Sequence, residues 1–67
     1  MTRNRHWLLK PTNEGQEMNY VESFKGSRNE ATVRARDIVE DLRPILVQGR
    51  VGCLICDSSG KEVGLLS

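Results

Sequence analysis

A chain of 67 residues holds one domain at most, which excludes barrels, doubly wound sheets and multi-domain enzymes. Hydrophobic residues at 37% and charged residues at 28% supply both a core and a solvated surface, and so exclude the disordered class. Ten Lys and Arg against nine Asp and Glu leave a net charge of +1, which excludes a strongly basic general nucleic-acid binder and an acidic mimic of nucleic acid alike.

His6 to Lys10, His-Trp-Leu-Leu-Lys, is a compact apolar run that reads as the first strand. Pro11 lacks a backbone donor and is expected to stop it. Thr12 to Gln16 places a glycine among polar residues and is expected to be a reversing loop. The second strand, Glu17 to Phe24, puts Met18, Tyr20 and Phe24 on one parity and Asn19, Val21 and Ser23 on the other. Glu22 interrupts the apolar parity, and a bulge or a change of face near Val21 would repair the alternation.

Ser27-Arg28-Asn29-Glu30 is a capping box, in which the serine and glutamate side chains satisfy each other's free backbone N–H groups, so a helix begins there. Ala31, Ala35, Ile38, Leu42 and Ile45 form one stripe at helical spacing, expected to face the sheet. Small Ala31 and Ala35 predict a close approach, and Val33, ~160° away around the helix, is expected to be exposed. Pro44 is expected to end the regular helix near Arg43 or to kink it through Ile45 to Val47, with Gly49 as the final stop.

Val51 to Asp57 reads as the third strand, with Val51, Cys53 and Ile55 on one face and Gly52, Leu54 and Cys56 on the other. Asp57 to Lys61 has the residues of a tight reversal, and Glu62 to Leu66 returns as the fourth strand. The fold class is therefore α+β: a four-stranded antiparallel sheet with one helix on one face, order ββαββ, with residues 1–67 as a single domain. Glycines at 52 and 64 point to close backbone approach or to local flexibility.

Cys53 and Cys56 have the C-x2-C spacing of half a zinc site. In a strand, residues three apart point to opposite faces and lie ~10 Å apart, too far to share a metal or a disulfide. Buried structural cysteines are the simpler reading, and the metal reading needs a dimer or a knuckle. His6 is the single histidine and has no catalytic signature beside it. No enzyme activity, cofactor or metal is expected. Two cysteines fit a reducing cytoplasm, and no apolar run reaches the length of a signal peptide or a membrane span, so a cytoplasmic protein without membrane association is expected.

Arg3, Arg5 and Lys10 stand without an acid in the first ten residues, and Lys25, Arg28, Arg34 and Arg36 lie in or near the helix start. Arg34 can pair with Asp37 and Arg36 with Glu40. With Asp37, Glu40 and Asp41 following, the helix is expected to present a basic first half and an acidic second half, which favours a specific protein contact. Trp7, Tyr20, Arg34 and Arg36 are the candidate contacts to a protein partner, possessing the aromatic and arginine chemistry of binding hot spots. The alternative is a small nucleic-acid-binding module with Arg3, Arg5, Lys10, Lys25 and Arg28 as phosphate contacts. An uncovered sheet face carrying Leu8, Leu54, Cys56 or Tyr20 would be an interaction patch, which a homodimer would also hide.

From Glu22 to Gly60 the chain reads Glu-Ser-Phe-Lys-Gly-Ser, then Glu-Ala-x-x-x-Ala, then Ile-x-Asp-x-x-Gly running on into Glu62 and Val63. With Phe24, Ser27, Glu30, Ala31, Ala35, Ile55, Asp57, Gly60, Glu62 and Val63 at the matching positions, it resembles short bacterial and phage proteins of uncharacterised function with ββαββ order. The first strand departs from them, with Trp7-Leu8 in place of Tyr-Phe, as does its link to the second. In size and layout the chain is also similar to phage-encoded inhibitors of bacterial CRISPR systems, which bind a surveillance complex and block its nucleic-acid or nuclease-recruiting surface. That resemblance implies a non-enzymatic inhibitor that masks a functional surface stoichiometrically, without turnover.

Overall fold

The computed structural model describes residues 5–14, 16–46 and 48–67. In chain order its elements are β1 (Arg5–Asn13), β2 (Gln16–Glu17), β3 (Glu22–Gly26), α1 (Arg28–Leu42), β4 (Val51–Asp57) and β5 (Glu62–Leu66). All strand pairs are antiparallel: β2 and β3 share one edge of β1, β4 pairs with the other edge, and β5 lies beside β4. The sheet is thus four strands across, because β2 and β3 are two stretches of one outer strand. Since β3 and β4 both run antiparallel to β1, they are parallel to each other, and α1 carries the chain across β1 between them. This is the expected α+β arrangement of one helix on an antiparallel sheet.

The first strand does not stop at Pro11 but runs through it to Asn13. The reason lies in which way the proline nitrogen points. A strand residue turns its N–H and C=O to the same side. The Pro11 carbonyl accepts a hydrogen bond from the Met18 N–H at 3.1 Å, so the proline nitrogen also faces Met18. There the outer strand is interrupted: Glu22 opposes Leu9 and Glu17 opposes Thr12, which leaves Met18 to Val21 as a bulged segment beside Lys10 and Pro11. Pro11 therefore occupies the position of β1 that needs no ladder donor. The same interruption is the irregularity that the alternation near Val21 called for. The expected loop over Thr12 to Gln16 contracts to a turn at Glu14, and Gly15 lies outside the described residues.

The register puts Trp7 and Leu9 of β1 with Val51, Cys53 and Ile55 of β4 under the helix. They meet Ala31, Ala35, Ile38 and Val39. Ala31 and Ala35 are fully buried, so their small side chains set the close approach of α1 to the sheet. The capping box forms as expected, with the Glu30 N–H donating to Ser27 Oγ at 3.1 Å and the Ser27 N–H to Glu30 Oε1 at 2.8 Å. At the other end α1 stops at Leu42, with Arg43 as C-cap directly before Pro44. Ile45 consequently leaves the apolar stripe and is 71% exposed, Val47 lies outside the described residues, and Gly49 falls in the loop beyond the helix.

Close approach explains Gly52. A Cβ there would stand 2.7 Å from the Leu66 carbonyl oxygen and 2.9 Å from Thr12 Oγ1, on the face of the sheet away from α1. The reversal into β5 is built by Asp57, whose Oδ1 accepts from the backbone N–H groups of Ser59 and Lys61 and from the Ser59 hydroxyl. Those bonds, the Ser59 hydroxyl first, hold the Asp57 carboxyl below its ordinary range.

Candidate interaction surface

Glu22 faces α1, because it opposes Leu9 in the register, and there it meets a cation. The Arg34 guanidinium grips it bidentately, Nη2 donating to Oε1 at 2.8 Å and Nε donating to Oε2. The Tyr20 hydroxyl donates to the same Oε1 at 3.0 Å. The Arg34 bond is the main cause that holds the Glu22 carboxyl below the ordinary carboxylate range, and the same bond raises Arg34. Tyr20 is raised by its hydrogen bond to the carboxylate. Among the described residues this is the ion pair within 4.0 Å, and the expected pairs Arg34 with Asp37 and Arg36 with Glu40 are not formed. Arg34 is two residues from Arg36 and turned ~160° from it, which separates the two arginines onto different sides of α1.

The bridge from Glu22 to Arg34 divides a seam between α1 and the outer strand into two open cavities. One, of about 270 Å³, lies over Pro11 between Met18 and Tyr20 on the strand side and Ile38, Asp41 and Leu42 on the helix. The other, of about 390 Å³, lies between Phe24 and the helix residues Glu30, Val33 and Asp37. Tyr20 and Val33 are 49% and 56% exposed at their rims. An apolar lining with a few polar groups at the edge is the makeup of a recognition groove.

The helix charges keep the expected order along the axis, with Arg28, Arg34 and Arg36 ahead of Asp37, Glu40 and Asp41, and they also sort by flank. At ~100° per residue Glu30, Asp37 and Asp41 share a ~60° arc with Arg34, and the bond from Arg34 to Glu22 fixes that arc on the β3 side. Arg28, Arg36 and Arg43 fall on the opposite flank, fixed on the β5 side by the 2.8 Å bond from Arg28 Nη2 to the Val63 carbonyl. One side of α1 is acidic and grooved; the other carries Arg28, Arg36 and Arg43, with exposed Glu40 ~40° from Arg36 at its border.

The remaining candidates are dispersed. Trp7 is corrected from a surface contact to a core residue: it is 5% exposed, its indole N–H donates to the Gly26 carbonyl at 2.9 Å, and the Arg28 guanidinium stacks 5.9 Å from its ring centroid. Arg36 is exposed on the basic flank. Lys10 and Lys25 share the sheet face away from α1, Arg5 begins β1, and Arg28 is on the helix, so these phosphate-contact candidates are not brought together; Arg3 lies outside the described residues. The uncovered sheet face does carry Leu8, Leu54 and Cys56, paired as Leu8 with Cys56 and Leu54 with Leu65. Leu8 and Leu54 are half-buried, Cys56 is buried and Leu65 is the exposed member, whereas Tyr20 belongs to the seam.

Cys53 and Cys56 point to opposite faces of β4, as the strand spacing requires, and are free thiols. Burial pushes the Cys53 thiol up to about 11 and raises Cys56 as well. His6 is exposed on β1. Among the described residues no group of three or more His, Cys, Asp or Glu side chains converges, and no helix is long and apolar enough to cross a membrane.

Tyr20 and Arg34 are thus the candidates that the fold unites, and Glu22 is the residue that unites them. Its signal was present as the charge that broke the parity of the second strand. Met18, Val33 and Asp41 join the site through the fold alone. Comparison with known proteins gave no match to a family model, a curated protein or a solved structure.

Proposed function

We propose that the protein is a non-enzymatic interaction module that binds another protein through the seam between β3 and α1. The observation that carries this reading is the pairing of exposed Tyr20 and Val33 with two apolar cavities, over a base fixed by the Arg34 to Glu22 bridge. Such a surface has the character of a binding hot spot: an aromatic and an arginine held in place before the partner arrives, so little side-chain entropy is lost on contact. The finer reading is a small phage-type inhibitor, anti-CRISPR-like in size and layout, that masks a functional surface of a bacterial protein or nucleoprotein complex stoichiometrically. A rigid scaffold suits masking because its surface needs no rearrangement to bind.

The test is affinity capture from nuclease-treated bacterial lysate with tagged protein, beside a Tyr20→Ala, Val33→Lys variant of equal thermal stability. One stoichiometric protein complex retained by the wild type and lost by the variant is the expected result. Capture of the same complex by both, or of no protein by the wild type, would count against the seam as a binding site.

A second reading as a nucleic-acid module draws on a set of arginines that differs from the one the sequence offered: Arg28, Arg36 and Arg43 along one flank of α1. It requires retardation of DNA or RNA that weakens steeply with salt and is lost in Arg36→Ala, Arg43→Ala. The interaction-module reading expects no such retardation.

A further inference from the structure

The seam has a third component besides its cavities and its acidic wall, namely the free edge of β3. Odd-numbered residues of β1 turn their backbone groups toward the outer strand, as the Met18 to Pro11 bond shows. The pairs of Trp7 with Phe24 and Leu9 with Glu22 therefore exchange the ladder hydrogen bonds. The alternate residues Ser23 and Lys25 consequently point their N–H and C=O groups away from the sheet, along an edge that no described strand covers. Lys25, the kind of charge that guards an edge, projects its side chain to the sheet face opposite α1 and leaves the seam open. The other edge differs, for β5 has a register break opposite β4 and its Val63 carbonyl is occupied by Arg28.

From this geometry we infer that the seam takes an extended, basic peptide segment of the partner protein, added as a further strand on the edge of β3; the inference rests on the interaction-module reading and deepens it. Main-chain hydrogen bonds to Ser23 and Lys25 supply attachment, and alternate side chains supply selection. The dimensions agree. Five residues of β3 span ~16 Å at ~3.3 Å each, and α1 from Asn29 to Asp41 spans ~18 Å at ~1.5 Å per residue. Asp37 and Asp41 are ~6 Å apart along the axis, close to the ~6.6 Å between side chains on one face of a strand. Basic residues on the helix-facing side of such a strand would meet Asp37 beside Phe24 and, where the segment runs on past Glu22, Asp41 beside Tyr20, while the positions between them share a face with Lys25 and must not be basic. Complementary charge also speeds encounter and makes it sensitive to salt.

The experiment is titration of isotope-labelled full-length protein with a Lys-Val alternating octapeptide to millimolar concentration, followed by amide NMR and hydrogen exchange. The expected result is shifts centred on Ser23, Lys25, Val33 and Asp37, with slowed exchange of the Ser23 and Lys25 amides. Binding should fall about ten-fold in Asp37→Lys, Asp41→Lys, and should vanish for the octapeptide N-methylated at alternate residues, a control that leaves the protein unaltered. A Glu-Val octapeptide that binds equally, shifts confined to the Arg36 flank or to the Leu54 and Leu65 face, or no shift at all would overturn the inference. Failure here together with seam-dependent lysate capture would remove the strand-addition mode and leave the interaction module standing, whereas failure of both would remove the module as well.

Discussion

The two flanks of α1 rest on the same core yet end in different chemistry. On the β5 side, long Arg28 is used up within the fold: its guanidinium reaches the Val63 carbonyl and covers Trp7. On that side the Val63 carbonyl is taken by the protein's own side chain. On the β3 side the equivalent long cation, Arg34, is drawn inward to Glu22, and its retreat leaves a cavity on either side. One arginine caps a carbonyl of β5 and the other divides a groove beside β3. The difference originates in one residue of β3, since an apolar side chain at Glu22 would leave Arg34 free to extend across the seam.

Several changes test how far this contrast holds. Leu9 lies beneath both flanks and is fully buried, so Leu9→Ala should cost about 2–5 kcal/mol of stability by denaturant unfolding and affect both sides alike. Gly52→Ala forces a Cβ against the Leu66 carbonyl and should cost about 1–3 kcal/mol, loosening β5 before β3 in hydrogen exchange.

Arg34→Ala and Arg28→Ala should each cost about 1 kcal/mol at neutral pH, the former discounted for its partial exposure, and pH separates them. Glu22 is held below its ordinary range, so its contribution is present above the unfolded carboxylate pKa and is lost as pH falls through the folded value. The gap between wild type and Arg34→Ala should therefore close on acidification, measured as unfolding midpoints across the acid range. The gap for Arg28→Ala should stay constant there, because neither the Val63 carbonyl nor the Trp7 indole titrates. Equal pH dependence of both gaps would erase the distinction between the flanks. Val33→Lys, at an exposed position, should change stability by less than about 0.5 kcal/mol.

Local rules made most of the fold legible. The capping box of Ser27 and Glu30, the stripe of Ala31, Ala35, Ile38 and Leu42, and the alternation of β4 each depend on residues within a turn or two of one another. Pro11 misled because its effect depends on which strand edge it faces, and that is set by Met18 and the interruption of the outer strand. Trp7 misled for a similar reason: an aromatic in a short apolar run reads equally as contact or core, and the decision came from Gly26, 19 residues away. The ion pairs were drawn within the helix, at i+3 and i+4, whereas Arg34 found its partner 12 residues back on the sheet. Charge segregation by flank was already implicit in the helical wheel. What fixed the acidic flank on the β3 side was the tertiary contact.

The measurement that bears most directly on the seam as the recognition surface is a matched pair of surface variants, one per flank, in the lysate capture. Val33→Lys alters the seam and Arg36→Glu alters the opposite flank, and both sites are exposed. Recognition through the seam predicts that the captured complex is lost with Val33→Lys and retained with Arg36→Glu. Retention with Val33→Lys and loss with Arg36→Glu would contradict it, and would place the contact on the arginine flank.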